Sequence, residues 1–164
     1  MPMSPYLAGL RAKVGSELLL LPSVCGCVFD ESGRLLVARH GDVGLWAAPG
    51  GGLDPDERPE DAVVRELREE LAVEVEVRGV IGVYGGPEFR AVYPNGHQCQ
   101  YMIAVFGCTL ASGVPQPDGD EITDYRWVTE EELAGLRMTP WSPRVLPEVF
   151  AWWRGQTRRW ATMH

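Results

Sequence analysis

The segment "PGGGLDPDERPEDAVVRELREELAV", Pro49 to Val73, sets three glycines ahead of a run crowded with carboxylates. Pro59 suits the first turn of a helix, where the N–H it lacks would have no intrahelical partner, and Glu60 and Asp61 stand where the helix dipole favours negative charge. The pattern predicts a helix over Pro59 to Leu71. On such a helix Glu66, Glu69 and Glu70 are related by i, i+3 and i+4 and project from one side. Val64, Leu67 and Leu71 project from another and supply a face to pack on a sheet. Like charges at these spacings cost a helix roughly 0.2–0.5 kcal/mol per pair. A solvent-facing helix would interleave lysines, yet only Arg65 and Arg68 are near. The acidic face therefore suits hard cations, because Mg2+ prefers oxygen ligands and commonly takes a few carboxylates plus water and phosphate oxygens. Gly50 to Gly52 let the backbone approach that face closely, where a main-chain carbonyl can complete a coordination shell. These residues point to a metal–polyphosphate site.

At 164 residues the economical expectation is one domain over 1–164 with one core. A formal charge of -8 counts against nucleic acid polymers, which call for a basic face. An acidic protein reaches polyphosphates only through cations or a local cluster of Arg and Lys. Cys25, Cys27, Cys99 and Cys108 lack the paired spacing of a zinc site, and Cys25 and Cys27 share one face of an apparent strand. Buried free thiols in a reducing cytoplasm are expected, rather than a disulfide or metal role. Leu18 to Leu21 is too short to span a bilayer and runs into Pro22; no basic start precedes an apolar stretch, so neither a membrane span nor a signal peptide is expected.

Along the chain, Tyr6, Leu7, Leu10 and Val14 fall at helical spacing with Gly15 to end the turn, giving a short helical extension over 1–16 that packs on the body. Ser23 to Phe29 and Arg34 to Arg39 read as a hairpin around Asp30-Glu31-Ser32-Gly33. Val73 to Tyr84 is β-branched and reads as a strand; Gly85 to His97 reads as a loop ending in a Tyr93-Pro94-Asn95-Gly96 turn. Gln98 to Thr109 and Ile122 to Val128 are further strands, separated by a polar link from Ala111 to Asp120. Thr129-Glu130-Glu131-Glu132 reads as a capping box opening a short helix. A C-terminal helix over 143–160 carries Leu146, Val149, Phe150 and Trp153 on one side. Hairpins mixed with crossovers give an α/β or α+β class, with a mixed sheet and helices on both faces.

Gly51, Glu57 and Arg65-Glu66-Leu67-Arg68-Glu69-Glu70, followed by Leu71-Ala72-Val73, resemble the Nudix box. "RLLVARHGDVGLWAAPGG" before it and "DEITDYRWVTEEEL" after it are similar to the approach and closing elements of Nudix proteins. One position departs from the family: the glycine that follows the double glutamate is Ala72 here. That glycine usually ends the helix in a left-handed conformation, which costs a residue with a Cβ roughly 1 kcal/mol, so the turn is expected to be made slightly differently.

The resemblance implies an α/β/α sandwich and a Mg2+- or Mn2+-dependent hydrolase of a diphosphate linkage. The substrate it implies is a nucleoside diphosphate joined to another group, with ADP-ribose, dinucleotides and nucleotide sugars first. A nucleoside triphosphate pyrophosphatase, or a non-catalytic nucleotide-binding regulator, is the alternative. An isomerase on this fold would need a Cys and Glu pair beside the metal, which no motif supplies. Glu66, Glu69 and Glu70 are implied as metal ligands, with the Gly50 carbonyl and Glu121 as further ligands and Asp120 as the alternative to Glu121. Glu66 is the first choice for deprotonating the attacking water. Arg65 would pair with a neighbouring carboxylate, and Glu57 would reach the metal face or brace the loop. Arg39 is either a phosphate contact or half of a surface ion pair, and Trp46 either stacks on a base or fills the core. Phe89, Arg90, Tyr93 and Tyr101 either shape a substrate pocket or pack. His40, His97 and His164 show no nucleophile–base arrangement. Arg154, Arg158 and Arg159 are expected to answer the helix dipole. The aromatic C-terminal helix is either core or the interface of a homodimer.

Overall fold

The computed structural model describes the backbone of residues 3–161 and the side chains of residues 3–156. His164 and the side chains of Arg158 and Arg159 lie outside the described residues. Helix α1 (Pro5–Val14) leads into β1 (Leu19–Phe29), β2 (Leu35–His40) and the two-residue β3 (Trp46–Ala47). Helix α2 (Pro59–Leu71) follows, then β4 (Glu74–Tyr84), β5 (Arg90–Val92), β6 (Gln98–Ser112), β7 (Ile122–Val128) and α3 (Ser142–Ala161). Among the described residues these strands form one seven-stranded sheet in the order β3-β2-β1-β6-β4, with β5 paired to β6 and β7 to β2. The β1–β6 pair is parallel and the others are antiparallel, so the sheet is mixed.

Alternation along β1 sorts the core into two layers. Val24 and Val28 pack with Val63, Leu67 and Leu71 of α2, while Cys25, Cys27 and Phe29 pack with Val145, Val149 and Phe150 of α3. Two glycines set how closely the helices approach. A Cβ on Gly26 would meet Leu67 Cδ1 at 2.7 Å, and one on Gly107 would collide with the indole of Trp152. Phe29 is stacked on Trp153 at 4.6 Å and meets Phe150 edge-on at 5.4 Å. The aromatic residues Phe150 and Trp153 thus turn toward the sheet, and all four cysteines are buried as free thiols.

Several local expectations are corrected. The N-terminal helix is anchored by a charge: Tyr6 and Val14 are exposed, whereas Arg11 is buried. Its guanidinium donates to the carbonyls of Gly15 (3.1 Å), Glu17 (2.6 Å) and Gln98 (2.7 Å), and to Cys99 Sγ at 3.1 Å. On α2, fully buried Val63 joins Leu67 and Leu71, and Val64 is only partly covered. The loop after β4 contains β5, which pairs residue for residue with the start of β6. The capping box forms, with Glu132 Oε2 accepting from Thr129 N–H at 2.8 Å, but it opens only a 3-10 turn at Glu132–Gly135. Arg154 pairs with Glu130 at 2.5 Å rather than standing in the last turn of α3. No helix among the described residues is long and apolar enough to cross a membrane.

Ala72 makes the helix-ending turn in the usual way, against expectation. It adopts the left-handed conformation itself (φ 53, ψ 34) and donates to Arg68 O at 3.0 Å.

Candidate active site

The glycine turn is laid against β1. The carbonyls of Pro49 and Gly51 accept from Gly26 and Val24 N–H, both at 2.9 Å, and Ser23 Oγ donates to Gly51 O at 2.7 Å. The intervening Gly50 carbonyl receives no backbone hydrogen bond among the described residues. Gly50 sits at φ 152, and any Cβ there would collide with Val24 O, so only glycine fits. Gly51 serves another purpose: a Cβ on it would stand 2.6 Å from Glu66 Cδ, which means the Glu66 carboxylate lies against bare backbone.

Helix α2 brings its glutamates to this turn in two depths. Glu66 and Glu70 are buried, at 7% and 2% exposure, while the Glu69 side chain is 61% exposed. Gly50 N–H donates to Glu70 Oε2 at 3.1 Å; Glu70 Oε1 is buried without any hydrogen-bond partner among the described residues. Arg65 binds the outer rim. It grips Glu57 with two bonds (Nε to Oε1 2.7 Å, Nη2 to Oε2 2.9 Å) and Glu66 Oε1 and Glu69 Oε2 with Nη1 (2.9 and 3.2 Å). It also donates to Gly52 O at 3.1 Å. Glu57 in turn accepts from Asp54 N–H at 3.1 Å, which ties the loop between turn and helix to the same arginine.

The electrostatics follow from these depths. Hydrogen bonding from Arg65 holds the Glu57 carboxyl below its usual range. Burial pushes Glu66 up; Arg65 opposes that, and Glu69 and Glu121 add to it. Glu70 is pushed up furthest, by burial and then by the charges of Glu66 and Glu121, against the single Gly50 N–H. Burial also raises Glu121, with Asp118, Asp120 and Glu69 contributing. Glu121 thus bears on Glu66 and Glu70 through its charge from a different element, whereas Asp120 bears on Glu121.

The cluster holds more negative charge than its protein partners neutralise. Among the described residues no three His, Cys, Asp or Glu side chains converge as a finished metal cage, since Arg65 stands among the outer carboxylates. The donor set still fits a hard divalent cation. Glu70 Oε1 is a buried carboxyl oxygen with no hydrogen-bond partner among the described residues, a state that costs about 1–3 kcal/mol unless a cation satisfies it.

The other named residues divide. Trp46 and Phe89 are core: they are 6% and 2% exposed, Trp46 lies under the Arg126 guanidinium at 5.0 Å, and Phe89 is stacked on Trp141 at 6.1 Å. Both rings lie in the layer packed against α3, Trp46 from β3 and Phe89 from the 3-10 turn ahead of β5. Tyr93 and Tyr101 are joined hydroxyl to hydroxyl at 2.6 Å, and exposed Arg90 donates to Gln98 Oε1 at 2.6 Å. No described contact links these three to the glutamates. Arg39 is exposed near Gly44 and makes no ion pair among the described residues. Sequence reasoning missed Ser23, a polar residue on an apolar strand, and Asp118, which was visible only as half of an Asp-Gly turn. Two concavities, of 570 and 750 Å³, lie around Trp153 and around Trp127, and neither is lined by the glycine turn or α2.

A model of the NUDIX domain matches residues 19–149. The chain belongs to the Nudix hydrolase family. It is 35% identical over 146 residues to the isopentenyl-diphosphate Delta-isomerase of Klebsiella pneumoniae (strain 342), covering 82% of this chain and 77% of that protein. It is 35% identical over 117 residues to the nucleoside triphosphatase NudI of the same strain, covering 67% and 82%. The crystal structure of an ADP-ribose pyrophosphatase from Streptococcus suis 89-1591 superposes with a TM-score of 0.66 at 24% identity, over 82% of this chain and 92% of that one, a likeness of fold.

Proposed function

We propose that the chain is a divalent-metal-dependent pyrophosphohydrolase that cleaves the diphosphate linkage of a nucleoside diphosphate joined to another group. ADP-ribose, dinucleotides and nucleotide sugars are the first substrates to test. The observation that carries this reading is the buried Glu70 Oε1, without a hydrogen-bond partner among the described residues and within the fields of Glu66 and Glu121. Glu66, Glu69, Glu70, Glu121 and the Gly50 carbonyl are the groups that would hold Mg2+ or Mn2+. A divalent ion held by these groups would supply neutralisation of phosphate charge and a lowered pKa for water at the site.

The rest is the work of this chain. Arg65 holds Glu66 by Oε1, which leaves Oε2 to take a proton from the attacking water. Burial raises the proton affinity of Glu66 toward the operating pH, as a general base requires. Gly50 N–H fixes Glu70 by Oε2, which leaves Oε1 as the oxygen that would meet a cation. Arg65, bound to Glu57 and to Gly52 O, keeps turn and helix in one register while charge at the site changes.

A second reading, a nucleoside triphosphate pyrophosphatase, is favoured by the 35% identity to a nucleoside triphosphatase. It is the same chemistry with phosphate as the other group. The isomerase reading lacks the Cys and Glu pair it needs: all four cysteines are buried as free thiols, and the hydrogen bonds of their sulfurs among the described residues are with Arg11, Ala48 and Phe106 rather than with a glutamate. A metal-supplemented substrate panel with products identified by mass separates these readings. Release of AMP from ADP-ribose supports the first, and release of pyrophosphate from a nucleoside triphosphate supports the second. Absence of turnover on either class, with Glu70→Gln indistinguishable from the parent in metal binding, refutes both in favour of a non-catalytic module.

A further inference from the structure

The connection from β6 to β7, residues 113–121, runs back across the C-terminal end of α2. Helix ends leave their last carbonyls without intrahelical partners. Here Gln116 N–H donates to Leu71 O at 2.8 Å and Asp118 N–H to Glu70 O at 3.1 Å. The connection is thereby tied to the residue that carries the orphaned oxygen. From that anchor it doubles back in a tight turn. Asp118 Oδ1 accepts two backbone N–H groups, from Asp120 at 3.1 Å and Ile122 at 2.9 Å. Gly119, at φ 84, donates to Ile122 O at 3.0 Å. On the far side Gly41 N–H holds Glu121 O at 2.8 Å, and a Cβ on Gly41 would stand 2.6 Å from Asp120 O. Glu121 is carried between the two amides that Asp118 fixes.

We infer that Asp118 is a positioning residue: its carboxylate closes the turn that presents Glu121, and its main chain registers that turn against Glu70. Two acidic groups from separate elements would thereby be held in place for one cation. The inference rests on the metal-dependent reading above. An asparagine would supply the same acceptor oxygen, so the aspartate adds charge at the rim of the cluster as well as geometry.

The test uses Mn2+ binding, followed by electron paramagnetic resonance of the free ion, and amide hydrogen exchange across residues 119–122. Asp118→Ala is expected to speed exchange at the Asp120 and Ile122 amides and to weaken Mn2+ binding by about tenfold, the lower end for loss of an outer-shell partner. Asp118→Asn is expected to restore the exchange protection and most of the affinity. Deprotected amides with parental Mn2+ affinity in Asp118→Ala would overturn the inference, as would unaltered exchange. Glu70→Gln separates the two levels. If it loses Mn2+ while Asp118→Ala does not, only the positioning role fails; if it binds Mn2+ like the parent, the metal reading fails with it.

Discussion

Gly51→Ala asks whether the Glu66 carboxylate works where the structure places it. Gly51 is not at a positive φ, so alanine meets no backbone strain there. The added methyl would stand 2.4 Å from Glu66 Oε1, whereas ordinary van der Waals contact begins at 3.4 Å, so the carboxylate must retreat by about 1 Å. The obstacle is the tip of a flexible side chain, and yielding costs little folding energy. The catalytic cost is another matter, because a misplacement of about 1 Å can lower rate by about 100-fold. The expected variant melts within about 3 °C of the parent, equivalent to roughly 1 kcal/mol for a chain of this size. Its kcat/KM, measured across a Mg2+ titration, falls by about 100-fold. Gly50→Ala is the contrast: its methyl collides with the Val24 carbonyl, a backbone atom that cannot yield, so that variant loses stability itself. Parental kcat/KM in a folded Gly51→Ala protein would refute the placement of Glu66 in the reaction.

Three further outcomes are expected. Ala72→Gly relieves a left-handed residue of roughly 1–2 kcal/mol of strain and returns about 0.5–1 kcal/mol in chain entropy, so chemical denaturation should show a net gain of about 0.5–1 kcal/mol with kinetics unaltered. Metal-free protein should lose stability as pH rises from the ordinary carboxylate value of 4.5 toward neutrality. The folded Glu70 and Glu66 hold protons that the unfolded chain has released, so the sign is a decline with pH. Saturating Mg2+ should flatten the decline seen in urea midpoints at pH 5 and 8, and a metal-free slope of opposite sign would contradict the buried-charge account. Arg65→Lys keeps one charge but cannot span Glu57, Glu66 and Glu69 together, and kcat/KM should drop by about tenfold with a parental circular dichroism spectrum.

The sequence by itself determined what depends on neighbours a few residues apart. Helix α2 runs over Pro59–Leu71 as its proline start and apolar period require, and the acidic spacing on it was legible for the same reason. Strand β7 likewise matches its β-branched stretch. Tertiary structure alone decided the depths. Period places Glu66, Glu69 and Glu70 on one side of a helix, but only tertiary packing, the glycine turn laid against Glu66 and Glu70 included, makes two of them buried and one exposed. Strand β5 is three residues long and exists because β6 offers it an edge, which no local signal announces. Trp46 could be read as a platform for a base or as core, and Phe89 as pocket or as packing, until the α3 layer closed over them. Arg11 looks like a surface residue until carbonyls from two elements converge on it. Periodicity reports which residues share a face; desolvation, which sets the chemistry of a carboxylate, depends on what the rest of the chain lays against that face.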